Sequence, residues 1–171
     1  MSSLPEAWLR GTVDGIPEGL QPAAHALGAA LEDVAAPARA LTDEQLWLQP
    51  GGAASVGFHL LHLCGSTDRL FTYARGERLS EQQKATLAAE RSLPDPRPSA
   101  DELLAHWAAV VDRSMRQLAA TPEDDLGTAR SIGRAGLPSS VRGVLWHAAE
   151  HATRHAGQII TTSMIIRGLP L

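Results

Sequence analysis

Apolar residues recur at intervals of three and four positions along most of this chain, and that periodicity favours helices over strands. In residues 20–41, for example, Leu27, Leu31 and Val34 fall on one face of an amphipathic helix. No segment alternates apolar and polar residues over a useful length, so we expect no substantial sheet. The pattern therefore predicts an all-α fold.

Capping residues, prolines and glycines divide the helical stretches from one another. Thr42 and Ser99 each open a capping-box sequence, and Ser55 and Ser80 are predicted N-caps. Pro37 lies inside the first helix and is expected to kink or end it. The predicted helices cover residues 20–41, 42–48, 55–74, 79–91, 99–120 and 139–166, with an irregular lead-in over 1–18 and a loop over 121–138.

These segments predict four long helices and one or two short ones around a single core, in one domain spanning residues 1–171. Only 4% of the residues are aromatic, so the core must consist mainly of Ala, Leu, Val and Ile, which suits closely packed helices. The single cysteine, Cys64, excludes a disulfide framework and is predicted to be a buried, inert thiol.

Charge and hydropathy narrow the range of partners. The net charge is −4, which offers no electrostatic basis for binding nucleic acid or anionic lipid. No stretch of apolar residues is long enough for a membrane span. The N-terminal residues lack the basic and apolar regions of a secretory signal, so we expect a cytoplasmic protein.

Three histidines follow one another at four-residue intervals in the last predicted helix: His147, His151 and His155. Residues four apart lie on one helix face, and two imidazoles from adjacent turns can bind the same metal ion. The outer two histidines are about 12 Å apart along the helix axis. One ion can therefore be held by His147 with His151 or by His151 with His155.

The helix predicted over residues 55–74 carries a second pair, His59 and His62, and either could supply a third imidazole from across the bundle. Polar side chains continue along both helices and suggest a shared polar pocket. They are Ser66, Arg69 and Tyr73 after His62, and Gln158 and Thr162 after His155.

Several charged residues have simpler interpretations. Glu150 lies four positions before Arg154, and a surface ion pair is preferred over a general-base role for it. Arg69 can equally be a surface residue near the end of its helix, and residues 77–90 are predicted to form a solvated face. No carboxylate suited to acid–base catalysis lies on either polar stripe.

Two of these segments together resemble the DinB/YfiT-like superfamily. They are residues 57–66, GFHLLHLCGS, and the His-x-x-x-His-x-x-x-His-x-Gly-Gln pattern over residues 147–158. The order of the predicted helices matches along nearly the whole chain. The resemblance implies a four-helix bundle that holds zinc or nickel through three histidines, one from the second long helix and two from the last. It also implies a homodimer.

The resemblance further implies which histidines bind the metal. In the family, the ligand on the second helix precedes a small-residue stretch that ends in Ser or Asp, and the other two come immediately before x-Gly-Gln. These positions correspond to His62, His151 and His155, with His147 one turn away. Some thiol-dependent relatives have Glu at the middle ligand, so His151 points away from that branch.

Three neutral imidazoles leave a tetrahedral zinc with one open position, which is the arrangement of catalytic rather than structural sites. The resemblance makes a metal-dependent hydrolase acting on a small-molecule substrate the first hypothesis. It also implies one alternative, an S-transferase that uses bacillithiol, mycothiol or glutathione. The other alternative is a non-catalytic interaction module stabilised by its metal. The predicted pocket lining consists of Ser66, Arg69, Tyr73 and Gln158.

Overall fold

The computed structural model describes residues 5–90 and 92–169. Its helices are α1 (Gln21–Arg39), α2 (Asp43–Leu46), α3 (Val56–Ala74), α4 (Glu81–Ala89), α5 (Ala100–Ala120) and α6 (Val141–Gly168). Two short strands, β1 (Ala129–Ile132) and β2 (Leu137–Ser140), precede α6. The predicted all-α class, with four long helices and two short ones, is confirmed.

The four long helices form a bundle in which neighbours in the chain are not always neighbours in space. Helix α6 packs against both α1 and α3, and α5 closes the ring by packing against α3 and α1 on the opposite side. Helices α1 and α3 therefore lie diagonally across the bundle. This arrangement places α6, which carries the histidine run, directly beside α3, which carries the histidine pair.

The core lies inside this ring and is built mainly from aliphatic side chains. Leu27 of α1, Leu60 of α3, Trp107 of α5 and Leu145 of α6 are all fully buried. Burial of such side chains contributes about 1.5–3 kcal/mol each to folding. The buried residues in the middle of α6, from Ala148 to Ala156, are all alanine, which allows the neighbouring helices to approach closely there.

Side-chain caps begin α2 to α5 at the predicted positions, and α6 also has one. The Ser55 hydroxyl accepts a hydrogen bond from the Phe58 backbone N–H at 3.1 Å, and Ser140 caps α6 through the Gly143 N–H. Thr42, Ser80 and Ser99 each complete a capping box with the residue three positions later. Such caps contribute about 1 kcal/mol each.

Helix α1 continues through Pro37 and ends at Arg39. The side chain of Ser163 on α6 donates a hydrogen bond to the carbonyl oxygen of Pro37 at 2.8 Å. This contact joins the ends of α1 and α6. Pro37 was expected to kink or end α1, and the helix ends two residues after it.

The expectation of a loop over residues 121–138 is wrong in its second half, which forms a β-hairpin. Strands β1 and β2 pair antiparallel, with Ala129 opposite Ser140 and Ile132 opposite Leu137. Gly133 and Gly136 adopt positive φ in the turn between them. Four-residue strands are too short for alternation to be visible in the sequence. Arg130 holds the hairpin to the end of α3 by donating a hydrogen bond to the Ala74 carbonyl at 2.7 Å.

Within residues 5–90 and 92–169, no helix is long and apolar enough to cross a membrane.

Trp47 lies just after α2 and covers the first turn of α3. A Cβ added at Gly57 would lie 2.8 Å from three ring carbons of Trp47, which is only 5% exposed. We expect Gly57→Ala to lower the free energy of unfolding by up to about 2 kcal/mol, since overpacking outweighs the gain in helix propensity. Urea denaturation of the two proteins measures the difference.

Gly28→Ala is the matched control, because Gly28 lies in α1 and nothing comes within 4 Å of an added Cβ there. This variant should be stabilised by up to about 1 kcal/mol through helix propensity alone. Equal stabilisation of both variants would show that Trp47 does not limit the space at Gly57.

Candidate metal centre

Three histidines from two neighbouring helices converge on one point. One ligand nitrogen from each of His62, His151 and His155 lies within 4.8 Å of the others. The Nε2 atoms of His62 and His151 are 3.0 Å apart. The ring centroid of His155 lies 4.7 Å from that of His62 and 4.5 Å from that of His151. Helix α3 thus contributes one imidazole and α6 contributes two.

The donor set fits a divalent metal ion. In a tetrahedral site with zinc–nitrogen bonds of about 2.0–2.1 Å, two ligand nitrogens lie about 3.3 Å apart. The spacing of 3.0 Å between the Nε2 atoms of His62 and His151 is close to this value. Imidazole nitrogens are ligands that suit both zinc and nickel. The cluster could therefore hold a divalent ion after a small movement of the rings.

The two α6 histidines are held in the neutral form that binds metal. Burial lowers the pKa of His151 to about 4, with further contributions from the charges of His62 and His147. Burial also lowers the pKa of His155 to about 3, helped by His151 and His62. Near pH 7, no proton has to leave an imidazolium at either position before a cation binds.

A carboxylate orients the third histidine. His62 Nδ1 lies 3.0 Å from Glu90 Oε2, at the end of α4. When Nδ1 carries the proton and donates it to Glu90, the Nε2 lone pair faces the other two histidines. Carboxylates commonly fix metal-binding histidines in this way. Glu90 therefore selects the tautomer of His62 that can bind an ion.

Glu90 is in turn held by Arg69. The guanidinium donates to Glu90 Oε1 at 2.6 Å and to Oε2 at 3.3 Å, and Arg69 is only 7% exposed. Burial opposes the ionisation of Glu90, but the hydrogen bonds from His62 and Arg69 outweigh it, so the pKa of Glu90 is lowered. The carboxylate remains charged and stays a hydrogen-bond acceptor for His62.

Gly65 makes room for this pair. A Cβ at position 65 would collide with Glu90 Oε1 and would lie 2.7 Å from Arg69 Nη1. Any larger residue at position 65 would therefore displace the ion pair from this position.

His59 contacts the cluster from the opposite side. Its Nδ1 lies 3.0 Å from His155 Nδ1, and its side chain is buried. Burial, followed by the charge of His62, lowers the pKa of His59. Since Nδ1 of His155 is engaged by His59, Nε2 of His155 is the nitrogen left for an ion. Of the two histidines on α3, His62 therefore faces the cluster and His59 supports it.

The remaining histidine of the run lies at the surface. His147 is exposed, and its Nδ1 is 3.4 Å from a carboxylate oxygen of Glu150. Glu150 also forms a surface ion pair with Arg154, which confirms the simpler interpretation of that residue. The Phe58 ring lies nearly parallel to the His62 ring, with an interplanar angle of 8° and centroids 5.7 Å apart.

The residues predicted to line the pocket have different surroundings. The hydroxyl of Ser66 donates to the carbonyl oxygen of His62 at 2.6 Å, and Arg69 acts through Glu90. Tyr73 packs against the hydrophobic core about three turns along α3 from His62, and Gln158 is exposed on α6. Of these four residues, Arg69 is linked to the cluster, because it forms an ion pair with Glu90, which in turn hydrogen-bonds to His62.

Sequence reasoning missed Glu90. Residues 77–90 were expected to form a solvated face, and α4 indeed has no buried residue. The contact with His62 depends on how α4 lies on α3, which no local pattern in α4 reveals.

The prediction that Cys64 is a buried thiol is confirmed, because its side chain is only 2% exposed. Burial also raises the pKa of this thiol to about 12.

Comparisons with known proteins agree with this fold. A model of the DinB superfamily matches residues 26–159. The crystal structure of a conserved protein from Enterococcus faecalis is 20% identical, with a TM-score of 0.66 over 88% of this chain and 98% of that one. YfiT from Bacillus subtilis is 14% identical, with a TM-score of 0.68 over 96% of this chain and 99% of its own.

YfiT is described as a probable metal-dependent hydrolase with an unusual four-helix bundle topology. At these identities, the two solved structures show that the fold is shared. No curated protein matches the chain. The superfamily model spans well over half of the sequence and includes all three histidines of the cluster. The chain belongs to the DinB superfamily.

Proposed function

We propose that the protein binds a divalent ion, zinc or nickel, through His62, His151 and His155, and that it is a metal-dependent hydrolase. The convergence of the three imidazoles, with their ligand nitrogens within 4.8 Å of one another, is the observation that carries the proposal. The description of YfiT as a probable metal-dependent hydrolase supports the reaction class.

Each residue around the cluster has a distinct part in this proposal. A divalent ion held by neutral imidazoles keeps its full positive charge and supplies Lewis-acid catalysis when bound. Glu90 holds the proton of His62 on Nδ1, and His59 engages Nδ1 of His155. Phe58 lies nearly parallel to the His62 ring and gives it an apolar neighbour.

Metal content tests the ligand set. In protein purified without an affinity tag, we expect about one zinc or nickel per chain by mass spectrometry, and its loss in His62→Ala and in His151→Ala. His147→Ala is the matched control, because His147 is exposed and lies one turn from His151. A wild-type protein that neither carries nor takes up zinc or nickel would refute the proposal.

Hydrolysis of an activated ester, such as p-nitrophenyl acetate, tests the reaction class. The zinc-loaded protein should hydrolyse the ester faster than the metal-free protein, and His151→Ala should remain at the metal-free rate. If bacillithiol, mycothiol or glutathione binds at the loaded centre and no hydrolysis occurs, the S-transferase alternative replaces the hydrolase.

Glu90 should contribute to metal affinity without touching the ion. Glu90→Gln removes the charge that holds the His62 proton, and substitutions of this kind lower affinity by about 10- to 100-fold. Gly65→Ala should act in the same direction, since its methyl group displaces the Glu90 carboxylate. Zinc titration against a competing chelator measures both effects.

Gly157→Ala is the control for Gly65→Ala. Gly157 lies on α6 between the cluster and the end of the helix, and nothing comes within 4 Å of an added Cβ there. Its zinc affinity should equal that of the wild type. If Gly65→Ala and Glu90→Gln also bind zinc as the wild type does, the carboxylate has no part in orienting His62.

The neutral histidines also predict how the metal-free protein responds to acid. Folding lowers the pKa of His151 to about 4 and that of His155 to about 3, from 6.5 for an ordinary histidine. As the pH falls below 6.5, the unfolded chain takes up protons that the folded chain does not. The free energy of unfolding should therefore fall steadily from pH 7 towards pH 4.

A double variant separates this effect from the titration of carboxylates. His151→Asn with His155→Asn removes both imidazoles, so its stability should depend less steeply on pH between 7 and 4. Urea denaturation in the presence of a chelator gives both curves. Parallel curves for the two proteins would show that these histidines do not share the lowered pKa values.

A further inference from the structure

A cavity lies beside the histidine cluster, between α3, α4 and α5. Its volume is about 400 Å³, which is within the range of small-molecule sites. None of the three clustered histidines lines it. Its wall nearest the cluster is the Arg69–Glu90 ion pair. The cavity and the candidate metal centre therefore lie on opposite sides of one carboxylate.

The inner surface of the cavity is mainly apolar. Leu61 and Cys64 line it from α3, and Leu93 and Pro94 line it from the segment before α5. Cys64 is only 2% exposed, and its thiol behaves as a small, weakly polar part of the wall. Such a surface suits the hydrocarbon portion of a ligand.

Helix α4 roofs the cavity and is attached through polar side chains. None of its residues is buried, so it has no apolar anchor in the core. Gln83 donates hydrogen bonds to Asp68 at 2.6 Å and to Thr72 at 2.7 Å, and Glu90 at the end of α4 bonds to Arg69. Glu90 forms an ion pair with Arg69, whereas the uncharged Gln83 amide only hydrogen-bonds to one carboxylate oxygen of Asp68, which also lines the cavity.

Helix α5 contributes an arginine that has no ion-pair partner among the described residues. His106 and Arg113 line the cavity and lie seven positions apart, on one face of α5. Within residues 5–90 and 92–169, Arg113 forms no ion pair and no hydrogen bond, whereas Arg69 is fully paired with Glu90. An accessible guanidinium next to an apolar chamber suits a carboxylate attached to a hydrocarbon body.

We propose that this cavity binds a small organic acid, with its carboxylate at Arg113 and its apolar body against Leu61, Cys64 and Leu93. The site is separate from the candidate metal ligands and does not require the ion. A ligand there contacts the Arg69–Glu90 pair, whose carboxylate orients His62. The buried Arg69–Glu90 ion pair therefore lies between the proposed acid site and the candidate metal centre.

Titration of the metal-free protein with phenylacetate tests the proposal, with the neutral isostere phenylacetamide as the comparison. Phenylacetate should produce saturable NMR shift changes at the amides of Gly65, Thr86 and Ala89. Its affinity should exceed that of phenylacetamide by about tenfold or more, because a charged hydrogen bond to Arg113 is lost in the amide. Equal affinities, or no saturable change, would overturn the proposal.

Two variants locate the bound acid. Arg113→Gln should weaken phenylacetate binding by about tenfold or more. Arg116→Gln should not, because Arg116 lies one turn further along α5 and pairs with Asp112 at the surface. Thr86→Trp should fill the cavity and abolish binding of both probes. Equal binding to the Arg113 and Arg116 variants would refute the assignment. Since the protein is free of metal, failure of the metal proposal leaves this result interpretable.

Discussion

The close packing of α6 against α3 is the constraint on which the candidate site depends. The inward face of α6 carries Ala148, Ala149, Ala152 and Ala156, all at most 2% exposed. Small side chains along a helix let a neighbouring backbone approach closely, so histidines at the edge of that face meet across the gap. Leucines at these alanine positions would separate the helices, and the imidazoles of His62 and His151 could not lie 3.0 Å apart. The small side chains of the core therefore determine how closely the histidines of the site approach one another.

Placing polar rings at a helix interface is costly unless each one has a partner. The chain meets this requirement with a connected set of side chains. Glu90 takes the proton of His62, Arg69 balances the charge of Glu90, and His59 contacts His155. The charges of Arg69 and Glu90 cancel, and burial keeps His151 and His155 neutral. An added cation is then the one unbalanced charge at the cluster, and this favours an anionic or polarisable group next to it.

Local features of the sequence predicted most of the fold. Ser55, Ser80 and Ser99 begin their helices where the capping patterns placed them, because a cap is a contact between residues three positions apart. The hairpin before α6 was missed, since four-residue strands are stabilised mainly by each other and by Arg130. The choice between His59 and His62 could not be made from spacing alone. Both lie on α3, and only the way α6 packs against it decides which ring faces the cluster.

The part of the site that sequence reasoning missed is also its least anchored part. The three clustered histidines lie on α3 and α6, which both bury many residues in the core. The carboxylate that orients His62 comes instead from the end of α4, which buries no residue. Segments held by few apolar contacts open at a lower free energy than the core does. Gln83 and Glu90 thus keep α4 in place through hydrogen bonds that water can replace. Two ligands are preorganised by packing, while the orientation of the third depends on the docking of a polar helix. That helix also roofs the neighbouring cavity, so the same contacts hold both the roof of the cavity and the orientation of His62.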